Sequence, residues 1–149
     1  MLQARFVKQG TAVLFSCLLL TSCSDSQSPL LSFLEESNFN RPVVNLSDIY
    51  GSEWTAFAFI CADTPSTYSS EVLDLPIELV PDLEGSEQSG IVFWSDDSVE
   101  SDLLNPSDVV LCDSTTSLVN KLTVPTLSFS KGVNGEWLAS NLSVSQDSK

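Results

Sequence analysis

The residues able to do chemistry in this chain are few. Four cysteines stand at positions 17, 23, 61 and 112, and twenty carboxylates run from Asp25 to Asp147. There is no histidine. Its absence removes the commonest general base, the commonest metal ligand and the usual switch near neutral pH. Ser-His-Asp and Cys-His catalysis go with it, as do histidine-based zinc sites. What remains is carboxylate chemistry. Glycoside hydrolysis needs two carboxyl groups facing each other across a cleft. The candidates are Asp96 and Asp97 beside Asp63 or Asp113, but no spacing demands that pairing, so no catalytic residue is assigned. Asp96, Ser98, Glu100 and Asp102 alternate like the oxygen ligands of a calcium loop. The frame fails, because Ser101 stands where glycine is required and Ser107 where a bidentate glutamate belongs. No metal site and no cofactor are expected. Among the tryptophans, Trp54 and Trp94 read as core residues on strands, and Trp137 reads as the best exposed recognition residue.

Cys23 has the most specific surroundings. Arg5 and Lys8 precede an apolar run, Thr11 to Leu20, and small polar residues fill positions 21 and 22. The run is too short to span a bilayer comfortably, which takes about 20 apolar residues. Leu20-Thr21-Ser22-Cys23 resembles the lipobox of bacterial lipoprotein precursors. The resemblance implies that the Cys23 thiol receives a diacylglycerol and that the chain is cut between Ser22 and Cys23. It implies a protein held by acylated Cys23 on a bacterial cell membrane or outer membrane, outside the cytoplasm. Cys17 would leave with the signal, so three cysteines would remain, and an odd one in an exported protein needs an explanation. Lipidation of Cys23 supplies it and leaves Cys61 and Cys112 as a natural disulfide pair in an oxidising compartment.

The elements that position these groups are expected as follows. Residues 1–22 are the signal, 23–28 (CSDSQS) a flexible tether, and 29–149 a single globular domain. Residues 23–149 hold all 20 acidic residues and four of the six basic ones. Their formal charge, about −16, repels nucleic acid and anionic head groups and favours cations and basic partners, besides keeping a surface protein soluble. Ser28-Pro29 reads as a helix cap and first position for a helix over 29–38, either docked on the domain or part of the stalk. Trp54 to Cys61 is apolar on both faces and predicts a central strand. Asp63-Thr64-Pro65 starts a short helix with Tyr68 and Val72 four apart on one face, and Ile77 to Val80 offers a short strand. Gly90 to Trp94 is a second strand, and Ser95 caps a helix with Val99 and Leu103 inside. Asp108 to Asp113 is a third strand, whose end meets that of the Cys61 strand most easily if the two are parallel neighbours.

Asn134-Gly135 predicts a two-residue hairpin turn. That register pairs Lys131 with Leu138, Phe129 with Ser140 and Leu127 with Leu142, and turns Trp137 to the outer face. Pro125 breaks the phase between Val124 and Leu127, which predicts a bend on an edge strand. The sum is an α+β fold with a mixed, mainly antiparallel sheet, short helices, a C-terminal hairpin and one internal disulfide. Functionally, an address is legible and an activity is not. The expectation is a non-enzymatic binding or accessory module of the cell envelope with a protein or glycan partner. A carboxylate-dependent glycan hydrolase and an acidic cation-binding or structural component are the alternatives.

Overall fold

The structure, a computed structural model, describes residues 27–40 and 42–140. The expectations for the signal, for Cys23 and for the Leu127–Leu142 pair fall outside the described residues. Within them the fold is α+β, with helices and strands mixed along the chain. The domain opens with α1 (Pro29–Glu36), β1 (Val43–Asn45) and α2 (Leu46–Tyr50). Then come β2 (Ala56–Ile60), α3 (Ser66–Leu73), a 3-10 turn (Ile77–Leu79), β3 (Ser89–Trp94) and β4 (Val99–Leu104). It closes with β5 (Val109–Val110), β6 (Val119–Lys121), β7 (Thr126–Lys131) and β8 (Trp137–Ser140).

Where one sheet was expected there are two, ordered β1-β7-β8-β5 and β4-β3-β2-β6. Every pairing is antiparallel except β5 with β8. The main core joins the two sheets. Phe57, Phe59, Ile91 and Phe93 from one meet Val44, Leu127, Phe129 and Trp137 from the other. Leu30 and Leu34 of α1 are fully buried in it, so the first helix docks on the domain rather than extending a stalk. The central strand β2 is covered on both sides, as its two apolar faces require. Ala58 and Ile60 pack with Leu73, Leu83 and Val92 in a second cluster under α3.

Several elements depart from the sequence reading, each for a physical reason. Val99 to Leu104 is an edge strand, not a helix. A spacing of four, as between Val99 and Leu103, fits one face of a strand as well as one face of a helix. On α3, Tyr68 and Val72 face outward, while Ser69 and Leu73, also four apart, face the sheet. Leu73 brings a larger apolar side chain than valine, and small Ser69 lets the helix approach. The helix ends at Asp74, in the left-handed region at φ 56°. Its N-terminus is served by Asp82, whose Oδ1 accepts the Ser66 N–H at 3.2 Å. Asp63 instead takes φ 57° and accepts the Gly85 N–H at 2.8 Å. Residues 77–79 form a 3-10 turn rather than a strand.

The phase break at Pro125 marks a change of sheet. β6 pairs with β2, and β7 lies between β1 and β8, so β6 and not β7 is the edge. The hairpin register is one residue away from expectation: Lys131 pairs with Trp137, Phe129 with Ala139 and Ser128 with Ser140. The Gly132 N–H donates to Glu136 O at 2.8 Å and the Gly135 N–H to Gly132 O at 3.3 Å, with Gly135 at φ 92°. The loop is thus Val133-Asn134-Gly135, a turn closed by a left-handed glycine, rather than a two-residue turn. A slip of one residue exchanges the faces of a strand. It sends Trp137 into the core, where its large ring buries more apolar surface than Leu138 would.

Candidate functional site

The most concentrated polar chemistry lies where α1, α2 and β4 meet. Asp102 belongs to the inward face of β4, with Leu104 beside it and Phe93 on the neighbouring strand. It is 9% exposed. Ser28 Oγ and Tyr50 OH both donate to Asp102 Oδ2, each at 2.6 Å. Ser28 and Tyr50 stand 74 and 52 positions before Asp102 in the chain. Ser28 uses its oxygen twice, because Oγ also accepts the Leu31 N–H at 3.3 Å and so caps α1. Pro29 then occupies the first helical position, where no N–H is needed.

Tyr50 is held in the ring stack that backs this junction. Its ring lies 4.4 Å from that of Phe93, and Trp54 meets Phe93 edge-on at 4.9 Å. Trp54 Nε1 donates to Tyr50 O at 3.0 Å, which fixes the end of α2. Burial pushes the Tyr50 hydroxyl far above its ordinary range, and the Asp102 charge and hydrogen bond push it further. Tyr50 is therefore a neutral donor across the physiological range. A carboxylate that accepts two hydroxyl hydrogen bonds, one of them from a helix-capping serine, is arranged to fasten elements together.

Two concavities flank α1. At its N-terminal end a polar hollow of about 620 Å³ is lined by Gln27, Ser28, Gln88, Asn105 and Asp108, with Leu31 and Leu103 at its sides. Gln88 Nε2 donates to Asn105 Oδ1 at 3.0 Å within this lining. At the C-terminal end an apolar groove of about 650 Å³ runs between Phe33, Phe39 and Val43, with Glu36 as its charge. Each concavity holds one carboxylate, Asp108 or Glu36.

The carboxylates singled out in the sequence are not brought together. Asp96 and Asp97 lie in the β3–β4 turn, beyond the Ala56–Trp94 end of the sheet. Asp63 follows the opposite, Ile60–Gly90 end, and the disulfide holds Asp113 near it. Those ends are roughly 13 Å apart along the strands. That exceeds the separation of about 5–9.5 Å used by glycosidase carboxylate pairs. Asp113 accepts from Thr115 N, Thr115 Oγ1 and Thr116 Oγ1, and these bonds lower its pKa. Among the described residues no group of three or more His, Cys, Asp or Glu is placed to hold a metal ion.

Cys61 and Cys112 form a disulfide across a sequence separation of 51. Their strands are not parallel neighbours as expected. β2 and β5 belong to different sheets, so the bond staples one sheet to the other. Trp137 is corrected as well. It is 2% exposed, at the centre of the main core, and cannot serve as an exposed recognition residue. Lys131 Nζ lies 4.2 Å above its ring and donates to Gly135 O at 2.8 Å. Lys121 lies over Trp94 at 5.4 Å.

Tyr50 and Asp102 escaped the sequence reading as partners because neither has a local signature. The one available hint was Ser28, a capping residue whose oxygen can serve a second bond. Comparison with protein families, with curated proteins and with solved structures finds no match to this chain.

Proposed function

We propose that the protein is a lipid-anchored, extracytoplasmic lipoprotein acting as a non-enzymatic binding or accessory module of the bacterial cell envelope. The observation that carries this reading is the Cys61–Cys112 disulfide. It consumes both cysteines of the domain and leaves Cys23, in its lipobox-like setting, without a cysteine partner in residues 23–149. A disulfide of this kind belongs to an oxidising compartment. The Ser28–Asp102 bond supports a short tether, because the chain is fastened to the domain five residues after Cys23. Five residues reach at most about 17 Å, so the α1 end of the domain works close to whatever surface Cys23 is attached to. The polar hollow begins at that point, at Gln27 and Ser28, and is suited to a polar envelope ligand such as a glycan.

The test is metabolic labelling with a clickable fatty acid, with fractionation of membranes from cells expressing the full chain or Cys23→Ala. The wild type should carry label and sediment with membranes, and Cys23→Ala should lose both properties. Equal labelling of the two would sink the anchor. Crosslinking in intact cells, with Cys23→Ala as the unanchored control, then identifies contacts that depend on attachment.

A further inference from the structure

The Tyr68–Val72 face of α3 is on the surface. α3 turns Ser69 and Leu73 toward the sheet and leaves Tyr68 44% and Val72 42% exposed. The two are four residues apart, hence neighbours on one side of the helix. The 3-10 turn packs against the helix and adds a second exposed pair, Ile77 and Leu79, each at 46%. Single exposed apolar residues are ordinary on protein surfaces. Four large ones on two elements in contact make a patch of the kind that marks an interaction site.

The charged residues on the two elements themselves are all acidic. Glu71, Asp74, Glu78 and Glu84 are all exposed on or beside the two elements. No lysine or arginine occurs from Pro42 to Asn120. Of the lysines that follow, Lys121 lies over the Trp94 ring and Lys131 over the Trp137 ring, beside Gly135. The patch therefore has an acidic rim and no basic counterpart on its own elements.

We infer that the α3 face docks a basic amphipathic segment of another protein, one that sets apolar side chains on Tyr68, Val72, Ile77 and Leu79 and lysines or arginines on the acidic rim. The alternatives meet the same field. A second copy of this chain would press one acidic rim against another, since residues 23–149 carry a formal charge of about −16. An anionic lipid surface is repelled in the same way. A basic partner is attracted, and the apolar centre supplies what charge alone does not, a preference for a particular arrangement of side chains. The inference does not depend on lipidation of Cys23. Failure of labelling leaves it standing, and its own failure leaves the anchor standing.

The experiment uses the full-length protein in neutral phosphatidylcholine vesicles, with protein-free vesicles as blank. The probe is a fluorescent synthetic leucine–lysine helix of about four turns, with leucines at helical spacing. Controls are a scrambled isomer of the same composition and a leucine–glutamate helix. The leucine–lysine helix should bind, and at least about tenfold more weakly as salt rises from about 0.01 to about 1 M, where the screening length falls from about 30 to about 3 Å. The scrambled isomer should bind at least about tenfold more weakly. So should the Tyr68→Ser/Val72→Ser and Glu71→Lys/Glu78→Lys variants be bound, and both alter exposed residues that leave the core intact. Equal binding of the scrambled peptide, unchanged affinity in both variants, or no binding of the leucine–lysine helix would each overturn the proposal. Self-association that strengthens with salt and is lost in Tyr68→Ser/Val72→Ser would overturn it in favour of a second copy.

Discussion

Removing the Asp102 carboxylate should loosen the first helix from the rest of the domain, and a double-mutant cycle with Ser28 isolates that effect. In the wild type Ser28 Oγ does two jobs, accepting from Leu31 N and donating to Asp102 Oδ2 at 2.6 Å. Loss of a serine helix cap costs about 1 kcal/mol. Loss of a hydrogen bond to a charged group costs about 1.5–3 kcal/mol, with the lower end fitting a part-buried pair. Ser28→Ala should thus destabilise the wild type by about 2–3 kcal/mol. In an Asp102→Ala background only the cap remains to be lost, and the same change should cost about 1 kcal/mol. The coupling energy is the difference, about 1–2 kcal/mol, well above the few tenths expected of independent sites. Asp102→Ala alone also deprives Tyr50 of its acceptor, so it should cost about 3–4 kcal/mol. Urea unfolding followed by tryptophan fluorescence measures all four corners, provided the slope with denaturant stays constant. If Ser28→Ala costs the same in both backgrounds, the Ser28–Asp102 bond contributes nothing and the junction does not fasten α1.

Tyr50 predicts a pH dependence. Its folded pKa is raised by burial and by Asp102, so its stabilising contribution is complete below about pH 10 and is lost as pH rises further. The loss approaches about 1.4 kcal/mol per pH unit. Tyr50→Phe should show a shallower decline between about pH 10 and 11, and equal slopes would refute this. Cys61→Ser/Cys112→Ser opens a loop spanning a separation of 51 residues. The chain-entropy model gives a cost of about 4 kcal/mol, measured by urea unfolding with the slope fitted separately for each protein because the opened chain expands when unfolded, and a cost under about 1 kcal/mol would show that the staple is redundant. Gly135 has φ 92° with open space around its Cβ position. Gly135→Ala should cost about 1 kcal/mol from backbone strain alone, and a stabilising effect in thermal unfolding would contradict the turn assignment.

What could be read in the sequence follows from how local each determinant is. Ser28-Pro29 caps α1 with groups adjacent in the chain, and β2 announces itself by apolar residues on both faces. The disulfide followed from the count of cysteines, although its strands turned out to belong to different sheets. The failures lie where two local solutions are nearly equivalent and distant contacts choose between them. Asn134-Gly135 suits either a two-residue turn or a three-residue turn with Gly135 left-handed. The choice is made by the core, which accepts Trp137 in place of Leu138. Val99 and Leu103 suit helix or strand, and strand is selected by pairing with β3 and by Ser28 and Tyr50, which take Asp102 inward. The candidate site was the least legible part, since Ser28, Tyr50 and Asp102 meet only after the whole domain has closed.

The same junction bears on how attachment and binding are related. α1 and α2 belong to the main core on the inner side of the sheet β4-β3-β2-β6, and α3 covers its outer side. Ser28, where the proposed tether would be fastened, is thus separated by a sheet from Tyr68 and Val72. A partner docked on α3 would not compete for space with the proposed tether. Movement of the tether would reach that partner only through β4 and its neighbours. Asp102 is the one described residue that both receives Ser28 and belongs to this sheet. Asp102→Ala should therefore loosen the N-terminal end of α1 while leaving the affinity of the α3 face for a leucine–lysine helix unchanged. A loss of that affinity in a variant whose far-ultraviolet circular dichroism is native would show that the two sides of the sheet are coupled.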